Sequence, residues 1–367
     1  MPLVVVGDYA WDVLIRANTQ LLSGGDIFGE VQLAPGGSAA NTAVWARRCG
    51  MRTRFVGKIG NDRFGRLAMD ELEAEGVETQ WVRTDAHLTG SVAVWIDHQG
   101  QRSMVSGKGA DHYLLPSELP TATLRDARHL HLSAWSFFGD PPRAAARRAA
   151  RVAKEAGATI SFDPGSFQMI QELGADEFIA LTDDIGIDIL FPNAEEGQVL
   201  TGETDPERVA ARLSELYPGA LIALKLDADG SYVLENGRGV HLQPAPGRLV
   251  DATGAGDAFA GAFLAALSSG ASAAEAASLA NTVSAWVIER VGARPPFDEA
   301  LAVAIRPAGQ PGLAVHAAGD DSGADHPGDA TDRGHHHEQR AGRRSGTPAA
   351  AARAGRDTLA DRACAAA

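Results

Sequence analysis

The stretch that decides the fold is residues 250–263, "VDATGAGDAFAGAF", in which a glycine-rich turn leads into a run of small apolar residues. Gly254 and Gly256 let the backbone approach a ligand closely. The apolar run 258–267 predicts a buried helix whose first N–H groups point back at the turn. The stretch therefore predicts an anion site. Asp257 lies directly beside it, either as a helix N-cap or as a group with a chemical role.

Phosphoryl transfer is the chemistry that suits both features. It asks a protein mainly for positioning and charge stabilisation, so the N–H groups of the turn would hold the phosphoryl group while Asp257 accepts the proton of the attacking alcohol. The chain contains no G-x-x-x-x-G-K-[ST] motif. The third glycine of a dinucleotide fingerprint is out of register here, which argues against a nicotinamide dehydrogenase.

Composition favours a small molecule as the ligand. The chain of 367 residues has a net charge of -14 and is 45% hydrophobic, which allows a sizeable core and disfavours nucleic acid or an anionic membrane as the main partner. Its two cysteines, Cys49 and Cys364, form no disulfide framework. No apolar run approaches the roughly 18 residues of a membrane span. We therefore expect a cytoplasmic protein.

Short runs of Val, Ile and Leu alternate with helical patterns along most of the chain. Two of the helices, at residues 62–75 and 141–156, have clear start and stop signals. Buried strands separated by helices predict an α/β fold with a mostly parallel central sheet covered on both faces. The predicted strands are residues 3–6, 54–56, 129–132, 159–162, 187–191 and 221–224.

Three β-rich segments interrupt this alternation. Residues 91–96 and 102–106 flank a hairpin loop, and residues 30–33 form a further extended piece. We expect a small β-sheet lid built from about residues 12–34 and 90–107. Ligands of open α/β sheets bind at the carboxyl ends of the strands, where such a lid would close.

The end of the chain has a different composition. Residues 306–367 contain no aromatic residue, isoleucine or methionine. Such a segment cannot bury enough apolar surface to offset its ordering entropy, which predicts a disordered tail after a domain at 1–305. The tract His335–His337 could bind a transition metal weakly, but we interpret it as an exposed polar tract.

Two motifs together resemble the ribokinase-like (PfkB) family of sugar kinases. "DATGAGDAFAGAF" is similar to the family's C-terminal signature, and "APGGSAANTAVWARRCG" at residues 34–50 is similar to the N-terminal one. The resemblance spans roughly residues 3–305. It implies a three-layer α/β/α fold with a small β-sheet lid, and ATP-dependent phosphorylation of a sugar with Mg²⁺ and, in some members, K⁺. The lid strands could also pair two copies into a homodimer.

The resemblance assigns roles around the glycine-rich turn. Asp257 matches the catalytic base of the family. Asp251 and Thr253 match ligands of a potassium site, although a structural role in the turn is an equal alternative. The anion hole for the γ-phosphate matches Gly254, Ala255 and Gly256.

On the acceptor side, "GDYAWD" at residues 7–12 resembles the segment that ends the first strand of the family. Asp12 would match the acid that binds sugar hydroxyls; a solvated acid is the alternative. "GGSAAN" could simply be a loop entering a helix capped by Ser38. The sugar-contacting part of the N-terminal signature matches Gly36, Gly37 and Asn41.

On the nucleotide side, "FPNAEEGQVLTG" resembles the Asn-x-x-Glu motif of the family. Asn193 and Glu196 would lie near the phosphates, with Glu196 holding Mg²⁺ through water; helix surface charge is the alternative. "ALKLDADGS" resembles the nucleotide-binding turn but has Asp227 where glycine is commoner. Lys225 could approach the phosphates, and Asn281 matches a position near the adenine.

The acceptor itself stays open at this stage. Where several relatives carry a polar or acidic contact, this chain reads "LHLSAWSFFG", with Ser133, Trp135 and Phe137. Aromatic side chains there can stack on a sugar or a nucleobase, or belong to the core. We expect a sugar kinase. The alternatives are a nucleoside kinase and a non-catalytic sugar-binding protein of the same fold.

Overall fold

The computed structural model describes residues 2–96 and 102–305. The predicted tail at 306–367 and the hairpin loop at 97–101 lie outside the described residues. The strands are β1 Leu3–Val6, β2 Ala10–Ala17, β3 Gly29–Gly36, β4 Thr53–Gly60, β5 Glu78–Thr84, β6 Gly90–Ile96, β7 Arg102–Ser106, β8 His129–Ser133, β9 Thr159–Asp163, β10 Ile189–Leu190, β11 Leu221–Lys225, β12 Ser231–Glu235 and β13 Arg238–Leu242. The helices are α1 Ser38–Arg48, α2 Arg63–Ala74, α3 Thr121–Arg125, α4 Pro142–Glu155, α5 Phe167–Leu173, α6 Ala175–Thr182, α7 Ala194–Thr201, α8 Pro206–Leu216, α9 Ala255–Ser268, α10 Ala273–Ile288 and α11 Glu299–Ala304.

Nine strands form the central sheet in the order β13-β12-β11-β10-β9-β8-β1-β4-β5. Pairing is parallel from β11 to β5 and antiparallel at β12 and β13. All six predicted strands lie in this sheet. Alternate residues of β1 enter two separate cores, Leu3 and Val5 one, Val4 and Val6 the other, because successive side chains of a strand point to opposite faces. The three-layer α/β/α prediction is therefore confirmed.

A close crossing of α1 and α9 positions the glycine-rich turn. A Cβ atom at Gly261 would lie 2.7 Å from the Ala46 nitrogen and 2.7 Å from the Trp45 Cβ, so only glycine allows this approach. Asn41 and Asp257 each lie one helical turn before these contacts, on α1 and α9 respectively. The crossing therefore brings these two side chains together.

The helix ends follow the predicted signals to within one residue. The Asp62 side chain accepts a hydrogen bond from the Gly65 N–H and so caps α2. Pro142 opens α4, whose buried side consists largely of alanine, and small side chains let the helix lie close to the sheet. Among the described helices, none combines the length and hydropathy that a membrane span requires.

The remaining four strands form a small separate sheet in the order β3-β2-β6-β7. Strand β2 pairs antiparallel with β3 and parallel with β6, and β6 pairs antiparallel with β7. Leu14, Val94 and Ile96 form a core of their own on one face. The sheet comprises the segments that the sequence marked as β-rich, together with β2. Its action as a lid stays a prediction.

Candidate active site

The glycine-rich turn opens α9 with Gly254 as the N-cap, at a φ of 74°. A Cβ atom there would lie 2.6 Å from the Ala293 Cβ, so both conformation and space require glycine. Asp257 occupies the third helical position, and its Oδ2 accepts a hydrogen bond from Asn41 Nδ2 at 2.7 Å. The N-cap alternative for Asp257 is therefore wrong. The Ala255 N–H donates to the Ala252 carbonyl at 3.3 Å and closes the turn.

The surroundings of Asp257 suit a proton acceptor. Burial raises the pKa of Asp257 to about 7, and the negative charge of Asp163 adds to the rise. The hydrogen bond from Asn41 and the charge of Lys225 both lower this pKa. A carboxylate with a pKa near neutrality can take a proton from an alcohol in the transition state and release it afterwards.

Lys225 places a positive charge beside the turn. Its Nζ lies 2.7 Å from Asp163 Oδ2, and a Cβ atom at Gly256 would lie 3.2 Å from the same Nζ. Burial opposes the charge, but the carboxylates of Asp163 and Glu196 raise the pKa of Lys225 overall. The start of α9 therefore combines helix N–H groups with an ammonium group, which is an arrangement suited to an anion.

Asp163 was missed in the sequence analysis, although a signal existed. It directly follows the predicted strand at 159–162 and precedes Pro164 and Gly165. It lies at the carboxyl end of β9, the edge where ligands of such sheets bind. The side chain is buried, and its second oxygen accepts a hydrogen bond from the Gly165 N–H at 3.0 Å.

Asn193 and Glu196 form a capping box at the start of α7. Asn193 Oδ1 accepts from the Glu196 N–H at 2.7 Å, and Glu196 Oε2 accepts from the Asn193 N–H at 2.9 Å. Glu196 is only 2% exposed, so surface charge is the wrong interpretation for it and the right one for the exposed Glu195. Burial raises the pKa of Glu196 to about 7, against the lowering effect of Lys225.

The acceptor side is built around the entry to α1. Asp12 lies on β2 opposite Ala34 of β3, and a Cβ atom at Gly36 would lie 2.7 Å from the Asp12 carboxylate. Gly37, with φ of 90°, is the N-cap of α1. The alternative of a helix capped by Ser38 is therefore wrong.

Asp8 supplies the cap of α1, which the sequence analysis did not predict. Its carboxylate accepts hydrogen bonds from the Ser38 N–H at 2.7 Å and the Ala39 N–H at 3.2 Å. Burial nevertheless raises the pKa of Asp8, and these two hydrogen bonds oppose the rise. The carboxylate is thereby held at a helix N-terminus, beside the expected acceptor position.

A third missed acid, Asp111, faces Asp8. Burial and the charge of Asp8 raise the pKa of Asp111 to about 8, so this carboxyl is largely protonated at neutral pH. Its Oδ1 is buried and has no hydrogen-bond partner among the described residues. A small cavity brings the pair together with neighbouring side chains; its lining is Asp8, Asp111, His112, Trp135, Ser136 and Pro142.

The three residues singled out at and after the end of β8 take different positions. Trp135 lines the small cavity, whereas Phe137 is fully buried and packs edge-on against Phe162. Ser133 is buried at the end of β8 and accepts a hydrogen bond from the Trp135 N–H. Of the two aromatic residues, only Trp135 is therefore placed to contact a ligand.

Asn281 and Asp251 have structural partners, whereas the buried Thr253 Oγ1 has no hydrogen-bond partner among the described residues. Asn281 is buried on α10 and donates to the Gln243 carbonyl at 3.1 Å, while Asp251 accepts from the N–H groups of Thr253 and Gly292 at 2.8 and 2.9 Å. Asp227 adopts a φ of 50°, a conformation that explains the usual glycine there. In the described part of the chain, no group of three or more His, Cys, Asp or Glu side chains could hold a metal.

Comparisons with known proteins identify the family and the fold. The sequence model of the pfkB family carbohydrate kinases matches residues 1–300. The chain is 32% identical to a fructokinase of Escherichia coli over 72% of this chain and 84% of the relative. It resembles the adenosine kinase structure from Sinorhizobium meliloti with a TM-score of 0.73 and 26% identity, over 80% of this chain and 95% of that one. A protein provisionally named ribokinase II from Escherichia coli, bound to ATP and Mg²⁺, gives a TM-score of 0.70 and 25% identity, over 79% and 94%.

Proposed function

This chain belongs to the pfkB family of carbohydrate kinases and is an ATP-dependent kinase; we propose that it phosphorylates a hydroxyl group of a neutral sugar, with Asp257 as the base. The observation that carries the proposal is the carboxylate of Asp257, which lies in the first turn of α9, accepts a hydrogen bond from Asn41 and has its pKa lowered by the charge of Lys225. Kinase relatives leave a non-catalytic sugar-binding role without support.

The reaction needs one proton acceptor and one site for negative charge. The acceptor hydroxyl gives its proton to Asp257 while its oxygen forms a bond to the γ-phosphorus, and the bond from that phosphorus to the bridging oxygen of ADP breaks. The positive N-terminal end of α9, at the turn Gly254 to Gly256, and the Lys225 ammonium stabilise the charge on the transferred group. Asp257 needs no large pKa change to act near neutral pH.

The nucleotide side fits a magnesium ion bound to ATP. Glu196 provides a buried carboxylate beside Lys225, and Mg²⁺ is commonly held by one carboxylate together with phosphate oxygens and water. Bound there, the ion neutralises charge on the phosphates. Asn193 holds Glu196 in place through the capping box. We assign Asn281 to the adenine end, and Asp251 with Thr253 to a potassium site beside the turn.

The acceptor side favours a polyol without a negative charge. Asp8 and Asp111 line the small cavity, Asp12 lies against Gly36 at the entry to α1, and the buried Asp111 Oδ1 has no hydrogen-bond partner among the described residues. Ionised carboxylates bind hydroxyls well because each oxygen accepts a hydrogen bond, and they repel a phosphate or carboxylate on the acceptor, whereas the protonated Asp111 can also donate a hydrogen bond to a hydroxyl. Closure of the small sheet over this space would exclude water.

An ADP-release assay with Mg²⁺ATP tests the assignment. With the best neutral sugar of a panel, Asp257→Asn should lower turnover by about 10²- to 10⁴-fold, the usual contribution of a general base. Asp70→Asn is the matched control, because Asp70 lies exposed on α2, and it should keep wild-type turnover. Wild-type turnover in Asp257→Asn would refute the role of the base.

A nucleoside is the second candidate acceptor, favoured by one observation. Trp135 lines the cavity beside Asp8, where an indole could stack on a nucleobase, and a similar structure is an adenosine kinase. Faster ADP release with adenosine than with every free sugar of the panel would replace the sugar by a nucleoside. Release only with a sugar phosphate or a sugar acid would contradict a neutral acceptor.

A further inference from the structure

Arg294 is enclosed by the protein and holds three elements of the site together. Its side chain is 0% exposed. Its Nε donates to Asn41 Oδ1 at 2.7 Å, one terminal nitrogen donates to Glu71 Oε2 at 2.6 Å, and the other donates to the Gly36 carbonyl at 2.8 Å. The guanidinium therefore connects α2 and the entry to α1 with the side chain that contacts Asp257.

We propose that Arg294 is a positioning residue for the reaction, because it holds the Asn41 amide in the orientation in which its NH₂ group donates to Asp257. An asparagine amide has an acceptor end and a donor end. The N–H of an arginine can meet only the oxygen end, so the nitrogen end turns toward Asp257, as the distance of 2.7 Å shows. The inference rests on the proposed role of Asp257 as the base.

The reverse orientation of the amide would weaken the site. It would place the Asn41 oxygen against the Asp257 carboxylate, where two acceptors repel, and would leave an arginine N–H facing an NH₂ group. Arg294 excludes this orientation by pairing with the oxygen. A lysine could not replace it, since an ammonium lacks the planar fork that reaches three acceptors in fixed directions.

Arg294 is itself held rigidly. Glu71 accepts from the guanidinium and, on the same oxygen, from the Tyr9 hydroxyl at 3.2 Å. The guanidinium also lies over the Tyr9 ring, 5.4 Å from its centroid. A buried arginine paired in this way keeps its charge, because the carboxylate of Glu71 raises its pKa against the effect of burial.

The other charges that face Asp257 act on it without an intermediary. Asp163 at the end of β9 and Asp8 after β1 raise the pKa of Asp257, whereas Lys225 at the end of β11 lowers it. Asn41 is the neutral donor among these neighbours, and its hydrogen bond favours the ionised carboxylate. Loss of Arg294 should therefore raise the pKa of Asp257 by releasing Asn41.

The test is the pH profile of kcat/KM from ADP release with Mg²⁺ATP and the best sugar acceptor. A base must be deprotonated to act, so activity rises with pH through its pKa. In Arg294→Met the acidic limb should move to higher pH by about 0.5 to 1 unit, the size expected for one hydrogen bond. Maximal kcat should also fall by about tenfold, because the carboxylate is less well oriented.

Arg48→Met is the matched control. Arg48 is also largely buried, pairs with Glu75 at 2.5 Å and donates to the Pro295 carbonyl at 2.8 Å, yet its hydrogen bonds in the described structure go to neither Asn41 nor Asp257. We expect a lower melting temperature for this variant, with the acidic limb unchanged. If the acidic limb shifts equally in Arg48→Met, a general loss of stability is enough to shift it, and the proposal is overturned.

A double-mutant cycle checks that the effect passes through Asn41. In Asn41→Ala the limb should already be shifted, and adding Arg294→Met should move it no further. If Arg294→Met fails to fold, Arg294→Gln with Glu71→Gln removes both charges of the pair and serves instead. The inference is overturned if a folded Arg294 variant has its acidic limb at the wild-type pH. It is also overturned if Arg294→Met still shifts the limb fully in the Asn41→Ala background. Failure of the proposed function would give a different result, because the acidic limb of the wild type would then not depend on Asp257 and would persist in Asp257→Asn.

Discussion

At the scale of single residues, three buried carboxyl groups of the site hold protons that an unfolded chain would release. Burial raises the pKa of Asp257 and of Glu196 to about 7, and that of Asp111 to about 8. Between pH 4 and pH 8 these three groups therefore bind more protons in the folded protein than in the unfolded chain, so their contribution to stability falls with rising pH across this window and levels off above it. The raised pKa values of these three carboxyl groups therefore lower the free energy of unfolding at neutral pH.

Replacing Asp111 tests this loss of stability without changing the proposed base, Asp257. Asp111→Asn should raise the free energy of unfolding by about 2 kcal/mol at pH 8.5, where wild type carries a buried charge, and should change it little at pH 4. Urea denaturation at the two pH values measures the difference. Asp70→Asn, at an exposed position, should show no such dependence, and an equal gain at both pH values for Asp111→Asn would contradict the pKa assignment.

At the scale of elements, the start of α9 depends on glycine for two separate reasons. Gly254 has a left-handed backbone, and a Cβ atom added there would lie 2.6 Å from the Ala293 Cβ. The same helix is followed by Gly270, which also has a left-handed backbone, with φ of 93°, but no described atom within 4 Å of an added Cβ. A substitution at Gly270 therefore carries only the conformational cost, whereas a substitution at Gly254 carries both the conformational and the steric cost.

We expect Gly270→Ala to lower the free energy of unfolding by about 1 to 2 kcal/mol, the cost of the left-handed conformation. Gly254→Ala should cost roughly 1 to 3 kcal/mol more, because its Cβ overlaps the chain at Ala293. It should also slow ADP release, since the turn and Ala293 must separate. Equal losses of stability in the two variants would show that the contact with Ala293 is not tight.

At the scale of the whole molecule, the small sheet has two unlike faces. Strand register puts Asp12, Leu14 and Val94 on one face, which includes the sheet's own core. The opposite face is largely apolar and partly exposed, with Val31 67% and Val105 72% exposed; its apolar residues include Val13, Ile15, Val31, Leu33, Ala93, Trp95 and Val105. An apolar face of this kind supports the expected homodimer.

Light scattering coupled to gel filtration tests the dimer. Wild type should run at twice the chain mass, and the double variant Val31→Asp with Val105→Asp should run as a monomer, because two buried charges on each copy oppose association. Val303→Asp, on the exposed side of α11, is the control and should stay dimeric. A wild-type protein that runs as a monomer at a concentration of tens of micromolar would contradict the expected homodimer.

The sequence by itself determined the fold class, the family and the residue that we assign as the base. Alternation of buried strands and helices is a local pattern, and the two signatures are contiguous stretches, so both can be read without knowing which segments meet. The capping of α2 by Asp62 followed in the same way. The predictions for the tail at 306–367 and for the potassium and adenine ligands stay predictions.

Tertiary structure alone decided what surrounds that base. Asn41 is 216 residues from Asp257 along the chain, and Arg294 is 253 residues from Asn41. No local sequence pattern therefore predicts these contacts. Asp8, Asp111 and Asp163 likewise acquire their significance from burial and from one another. A carboxylate's pKa depends on its distance to other charges and on the solvent removed from it, and both are set only when distant segments pack.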